Sequence, residues 1–320
     1  MRRAWPFIAL ALAYFATSPY FAGLNNPNEM VRVYAARAWV EHGTFAIDAI
    51  IRDWGDVDDK AKREGGLYSS KAPLQTLVAI PAWIASEAAL STLDLEPSKR
   101  RRVQGTRVLA SVIPGLAFAC VLLVWSRRRG RELDPEHPAR GAKLGLGLGL
   151  ALTLGTMLFP YALTITGHSL AAICVGGAYL AAISLGRRLP EEPGWRLRAM
   201  TLGAFAALIP FAEYPAALAG LPIVIGAVVA EPNGRRRLNA LGWIGAGGAL
   251  PFLLGLWAHQ QMWGSPFATG YSFLDNPAYR DVHDDGFFGV RLPRLEAAQG
   301  ALFSAETGLF FFSPVLLVGV

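Results

Sequence analysis

The stretch Ala4–Glu29, AWPFIALALAYFATSPYFAGLNNPNE, holds the decisive reading. Residues 4–23 are long and apolar enough for a membrane helix, which needs roughly 20 such residues. The chain then turns at Asn25-Asn26-Pro27-Asn28 and presents a carboxylate, Glu29, expected at the membrane surface. A polar segment of more than forty residues follows, ending in Tyr68-Ser69-Ser70-Lys71-Ala72-Pro73. A carboxylate and a lysine at the lipid–water boundary suit chemistry on a charged lipid headgroup.

Outward from this stretch the pattern repeats. Of 320 residues, 53% are hydrophobic and only 17% charged, whereas soluble domains carry about 25% charge. The apolar runs are 4–23, 73–93, 107–126, 143–160, 168–186, 199–212, 214–230, 239–258 and 308–320. The fold class is therefore an all-α polytopic membrane protein. The net charge of +6 sits in short arginine clusters between apolar runs, the pattern of cytoplasmic loops rather than of a nucleic-acid surface. No nucleic-acid partner is expected. Cys120 and Cys174 lie inside apolar runs and read as small buried hydrophobes. Met1-Arg2-Arg3 before the first run predicts an uncleaved helix with a cytoplasmic N-terminus.

Charge also decides the second run. If 73–93 crosses, thirteen basic residues between 127 and 237, among them Arg127, Arg187 and Arg235, face outward in short loops. If it lies along the surface, they fall inside with Arg2 and Arg3. The cost is Lys99, Arg100, Arg101, Arg102 and Arg107 at the end of a long outer segment, where the rule is weak. Gln75, Pro81 and Glu87 also suit an interfacial helix. The expectation is seven spans, outer loops at 24–106 and 259–307, and an eighth span entered at Gly308 and cut at Val320. Thirteen residues cover only about 20 Å of a roughly 30 Å core, so the chain reads as the N-terminal part of something longer. The Leu-Gly repeat at 144–149 reads as a close helix contact.

The candidate site gathers the polar residues expected on the outer side: Asn28, Glu29, Lys71, His168, Glu213, Tyr214, His259, Tyr271 and Asp275. Structural readings stand beside the functional ones. Glu29 suits a helix N-terminus, Lys71 can snorkel, and His168 can mark a helix start. Glu213, in Pro210-Phe211-Ala212-Glu213-Tyr214-Pro215, is costly between apolar half-helices unless it meets water or a partner. The acidic stretches 53–59 and 281–285 offer oxygen ligands for a divalent cation but match no calcium-loop pattern; both also read as solvated loops. No other cofactor is expected.

This layout resembles the GT-C-fold glycosyltransferases, specifically the family 39-like group of protein O-mannosyltransferases and aminoarabinose transferases. The resemblance rests on Asn28-Glu29 at the site of an Asp-Glu pair, with Gly43 following in Glu41-His42-Gly43-Thr44-Phe45. It rests also on Lys71-Ala72-Pro73 at a Lys-Pro-Pro element, and on Arg107-Val108-Leu109-Ala110-Ser111 at the start of the second span. It implies a GT-C-like bundle over residues 1–320, with interfacial helices in the first outer loop. It implies transfer of a sugar from a polyprenyl-phosphate carrier to a lipid, glycan or protein acceptor, in a bacterial-type plasma membrane. The roles that follow are Glu29 as base with His168 as alternative, Lys71 on the phosphate, and Asn28, Glu213, Tyr214 and Tyr271 on substrate. The sequence departs from the family at Asn28 in place of aspartate, His168 in place of an acid, and Glu213 in place of a lysine. The rival expectations are a non-catalytic lipid-binding or lipid-translocating protein on the same scaffold, and an inactive fragment.

Overall fold

The computed structural model describes residues 4–21, 23–24, 26–187, 192–283 and 294–319. Helix makes up 76% of it, so the all-α expectation holds apart from one small hairpin. In chain order come α1 (Trp5–Thr17), α2 (Pro27–His42), α3 (Asp48–Trp54), β1 (Lys60–Arg63), β2 (Gly66–Ser69), α4 (Leu74–Thr92), α5 (Lys99–Arg107) and α6 (Ile113–Leu133). Then follow α7 (Pro138–Leu154), α8 (Leu158–Ala162), α9 (Gly167–Gly186), α10 (Trp195–Ala212), α11 (Ala217–Val229), α12 (Gly234–Trp263), α13 (Pro277–His283), α14 (Leu295–Phe303) and α15 (Leu309–Phe312). Pro114 cannot donate to the helical ladder, and a π-helical turn at Val108–Val112 precedes it. The helix nevertheless runs unbroken from Lys99 to Leu133.

Among the described residues, four helices are long and apolar enough to cross a membrane: Leu74–Thr92, Lys99–Leu133, Gly167–Gly186 and Gly234–Trp263. That is the signature of an integral membrane protein. The match to the seven expected spans is partial. α1 and α7 are shorter, with 13 and 17 residues. α4, expected along the surface, meets the length and composition needed to cross. Its awkward acid is neutralised: Glu87 Oε1 lies 2.9 Å from Arg102 Nε. The expected eighth span is not one helix. A four-residue α15 gives way at Ser313-Pro314 to a 3₁₀ segment, Pro314–Gly319.

The chain forms two compact units, with α4 running from one into the other. The first holds residues 1–24, 86–165 and 281–320. Its core is Leu10, Tyr14, Val112, Ala119, Leu123, Ala162 and Leu163. The Leu-Gly repeat divides as helical geometry requires. Gly145 and Gly149 press on Ser126 and Leu123 of α6, whereas Gly147 meets nothing within 4 Å. Gly130 and Gly141 approach each other's carbonyls across the same contact. Small residues every four positions let two backbones come this close. Arg107, counted as an outer charge, is fully buried; it donates to the Gly23 carbonyl (2.6 Å) and to Gln104 Oε1 (3.3 Å).

The second unit holds residues 25–85 and 166–280. Here α9, α10, α11 and α12 share a core that includes Cys174, Ala178, Trp195, Leu202, Ile209 and Phe211. The polar segment after α1 is an ordered assembly of α2, α3 and a hairpin. β1 and β2 pair antiparallel from Lys60↔Ser69 to Arg63↔Gly66. Asp48 caps the turn side by accepting from Leu67 N–H at 2.9 Å. α2 starts at a side-chain cap, with Glu29 N–H donating to Asn26 Oδ1 (2.8 Å) and Pro27 in the first turn. It ends at Gly43, whose φ of +68° is the left-handed value a glycine adopts without strain.

Candidate functional site

The second unit collects most of the expected residues around one buried cation that the sequence reading did not single out. Arg32 lies one turn into α2 and is 0% exposed. Its guanidinium donates to the Asn28 carbonyl (2.9 Å) and to Glu213 Oε1 (3.0 Å), across 181 positions of sequence. Glu213 occupies the break between α10 and α11. Its backbone is extended there, where α10 has ended and a 3₁₀ turn at Tyr214–Ala216 begins. The expected cost of Glu213 among apolar half-helices is thus met by an ion pair.

α9 brings the third member. Its first residue, Gly167, is packed so tightly that a Cβ would strike Glu213 Oε1, the Ala212 carbonyl and the Arg32 guanidinium. Only glycine lets the helix start here. His168 follows with its side chain 43% exposed and Nδ1 3.6 Å from Glu213 Oε1. The order is therefore a fully buried arginine, a carboxylate 14% exposed, and an accessible imidazole.

Lys71 forms the second pair. Its Nζ is 2.9 Å from Asp59 Oδ1, and both side chains are mostly covered. The Ser70 hydroxyl donates to the Asp59 carbonyl (2.7 Å), fixing this corner of the hairpin. Lys71 acts electrostatically on His168, and Asp59 acts on Arg32 and Tyr271, so the two pairs belong to one electrostatic cluster. Burial pushes the Arg32 guanidinium down from its ordinary value, and Glu213, Tyr271, Asp59 and Tyr214 act against that. Burial, helped by Glu213, pushes the Tyr271 phenol up to about 12.

Aromatic rings flank the charges. Tyr214 meets Tyr271 edge-on with centroids 5.3 Å apart. His259 lies against Trp263 (4.6 Å) and Phe211 (5.1 Å), and its Nδ1 is 3.1 Å from the Pro266 carbonyl. Several buried polar atoms here have no hydrogen-bond partner among the described residues: Asn28 Oδ1, Arg32 Nε, Ser169 Oγ and Thr269 Oγ1. Such atoms are scarce in folded proteins.

Two expectations need correcting. Glu29, expected at the membrane surface, is 0% exposed in the first turn of α2. The acidic stretch 53–59 is not a free set of cation ligands. Asp53 pairs with Arg37 (2.6 Å), Asp56 with Lys60 (2.8 Å) and Asp59 with Lys71. Among the described residues no group of three or more His, Cys, Asp or Glu is arranged to hold a metal. Much of the second acidic stretch, Asp284 and Asp285 included, lies outside the described residues. Asp275, expected near the site, lies 3.8 Å from Lys60. Arg32 left a usable signal. It sits in Met30-Val31-Arg32-Val33-Tyr34-Ala35, apolar on both sides, and a charge so placed needs a buried partner. Compared with known proteins, the chain matches no family model, no curated protein and no solved structure.

Proposed function

We propose that the chain is a plasma-membrane glycosyltransferase of bacterial type that moves a sugar from a polyprenyl-phosphate carrier to an acceptor on the extracytoplasmic side. The observation that carries this reading is the line Arg32–Glu213–His168 beside Lys71–Asp59. Glu213 Oε1 lies 3.6 Å from Nδ1 of His168, and in this reading the imidazole takes a proton from the acceptor hydroxyl. A carboxylate that holds an imidazole in one tautomer and stabilises its charged form is a known way to make a base. The acceptor oxygen then bonds to the anomeric carbon. The bond from that carbon to the phosphate oxygen breaks, its electron pair leaving with the lipid phosphate. Lys71 is the cation for that phosphate, moving from Asp59 as negative charge develops. Tyr214 and Tyr271 supply ring faces and hydroxyls for the sugar. Complete burial of Glu29 supports His168 over Glu29 as the base in this reading.

The test is transfer from radiolabelled polyprenyl-phosphate sugars by the purified full-length chain. His168→Ala is expected to lower the rate by about 10²–10⁴-fold, the usual worth of a general base. Glu29→Gln is expected to change it far less. Full activity in His168→Ala would remove the proposed base. The alternative, a lipid-binding or lipid-translocating protein, draws support from the fact that both cations already have carboxylate partners. It gains if the chain binds polyprenyl phosphate but transfers no sugar.

A further inference from the structure

The arginines between apolar runs serve topology, but at the end of α6 they also build a pocket. Val124, Arg127, Arg128 and Arg131 recur at spacings of three and four, so they share one stripe of α6. With Leu123 of the same helix, Pro6 and Phe7 of α1, and Leu146 of α7, they line a cavity of about 130 Å³. All of these residues belong to the first unit. The lining combines apolar side chains with three arginines. Among the described residues none of the three has an ion pair or a side-chain hydrogen bond. Arg129, off the stripe, pairs instead with Glu132 at 3.0 Å. Like charges at helical spacings of three and four repel, and α1 adds the positive end of its dipole through its first turn. Such an arrangement calls for an anion. Apolar walls on a helix able to cross a membrane call for a hydrocarbon chain beneath it.

We infer that this pocket binds an anionic phospholipid, its phosphate between Arg127, Arg128 and Arg131 and an acyl chain against Phe7, Val124 and Leu146. The site is independent of the cluster around Arg32, and its test does not depend on transferase activity. A soluble phosphate would have no use for the apolar walls. The arginines lie on the side that charge counting assigns to the cytoplasm, where basic pockets between spans meet anionic headgroups.

The experiment measures lipid binding to the full-length chain in neutral detergent by native mass spectrometry. The probes are phosphatidylglycerol, phosphatidylcholine and glycerol phosphate alone. Phosphatidylglycerol is expected to bind well above phosphatidylcholine, and glycerol phosphate weakly. Replacing Arg127, Arg128 and Arg131 together by Gln is expected to weaken phosphatidylglycerol on the order of 100-fold, at about a factor of five per basic residue. The same change at Arg235, Arg236 and Arg237 removes equal charge elsewhere and is expected to leave binding near wild type. If the triple variant fails to fold, Leu146→Trp keeps every arginine, fills the cavity and is expected to lower binding as well. Equal binding of the two phospholipids, equal loss in the control triple, undiminished binding in Leu146→Trp, or glycerol phosphate matching the lipid would each overturn the inference.

Discussion

Exchanging Glu213 for Gln tests the centre of the site, because the two ends of its ion pair are buried unequally. Arg32 is 0% exposed and Glu213 14%. Glu213→Gln keeps the shape and an acceptor oxygen but leaves a guanidinium with no water and less compensation. Breaking a buried pair this way costs about 3–5 kcal/mol. Asp59 also acts on Arg32, which places the expected loss near the lower end, about 3 kcal/mol. Arg32→Met removes the other partner. The carboxylate it leaves reaches some solvent and lies 3.6 Å from His168, so the loss is expected to be smaller, about 1–2 kcal/mol. The double variant removes both charges and is expected to lose no more than Arg32→Met alone, a coupling of about 3 kcal/mol or more. Unfolding by sodium dodecyl sulfate in mixed micelles, followed by circular dichroism, reads all four proteins. Arg32→Met proving the more damaging single change, or additive losses in the double variant, would refute the assignment of Arg32 as the desolvated end.

The other expectations follow from close contacts and burial. Gly167→Ala drives a methyl into the Ala212 carbonyl and the ion pair; a loss of about 1–3 kcal/mol is expected in the same unfolding assay. Gly145→Ala pushes on the Ser126 backbone and is expected to destabilise the α6–α7 contact. Gly147→Ala, with open space around it, is expected to be neutral or to stabilise by up to about 1 kcal/mol. Tyr271 holds its proton up to about 12 in the folded chain, against 10.0 when exposed. The unfolded chain therefore loses that proton first, and stability falls as pH rises from about 10 and levels off above about 12. A stability–pH series should show this slope, and Tyr271→Phe should reduce it.

What the sequence revealed and what it hid divide along a physical line. Apolar runs report burial in lipid or protein directly, so α6, α7, α9, α10, α11 and α12 lie close to their expected positions. The break at Glu213 was also legible, because Pro215 and a lone carboxylate between apolar segments leave few alternatives. Ion pairing across 181 positions has no sequence period, so Arg32 stayed hidden behind Glu29, three residues before it. The ion pairs of the acidic run 53–59 stayed hidden for a similar reason. Only Asp56–Lys60 is a local i,i+4 pair; Arg37 and Lys71 reach the run through the fold of α2 and the hairpin. The edge of 308–320 was misplaced because hydropathy ignores Pro314, whose missing N–H ends a helix that composition alone would continue.

The two ion pairs of the site are not equivalent, and that difference assigns their roles. An anionic ligand can enter only where it takes over a cation from the carboxylate already there. Arg32 is 0% exposed, and a large cost attaches to leaving it unpaired. Lys71 differs in kind. Its side chain and that of Asp59 are each about 15% exposed, and a flexible stem lets the ammonium move by rotamer change alone. Exchange of Asp59 for phosphate at Lys71 keeps the charge balance and disturbs no helix. Under the proposed function, Arg32–Glu213 would be the fixed brace that joins α2 to the α10–α11 break and aims His168, and Lys71 would be the cation that follows the substrate.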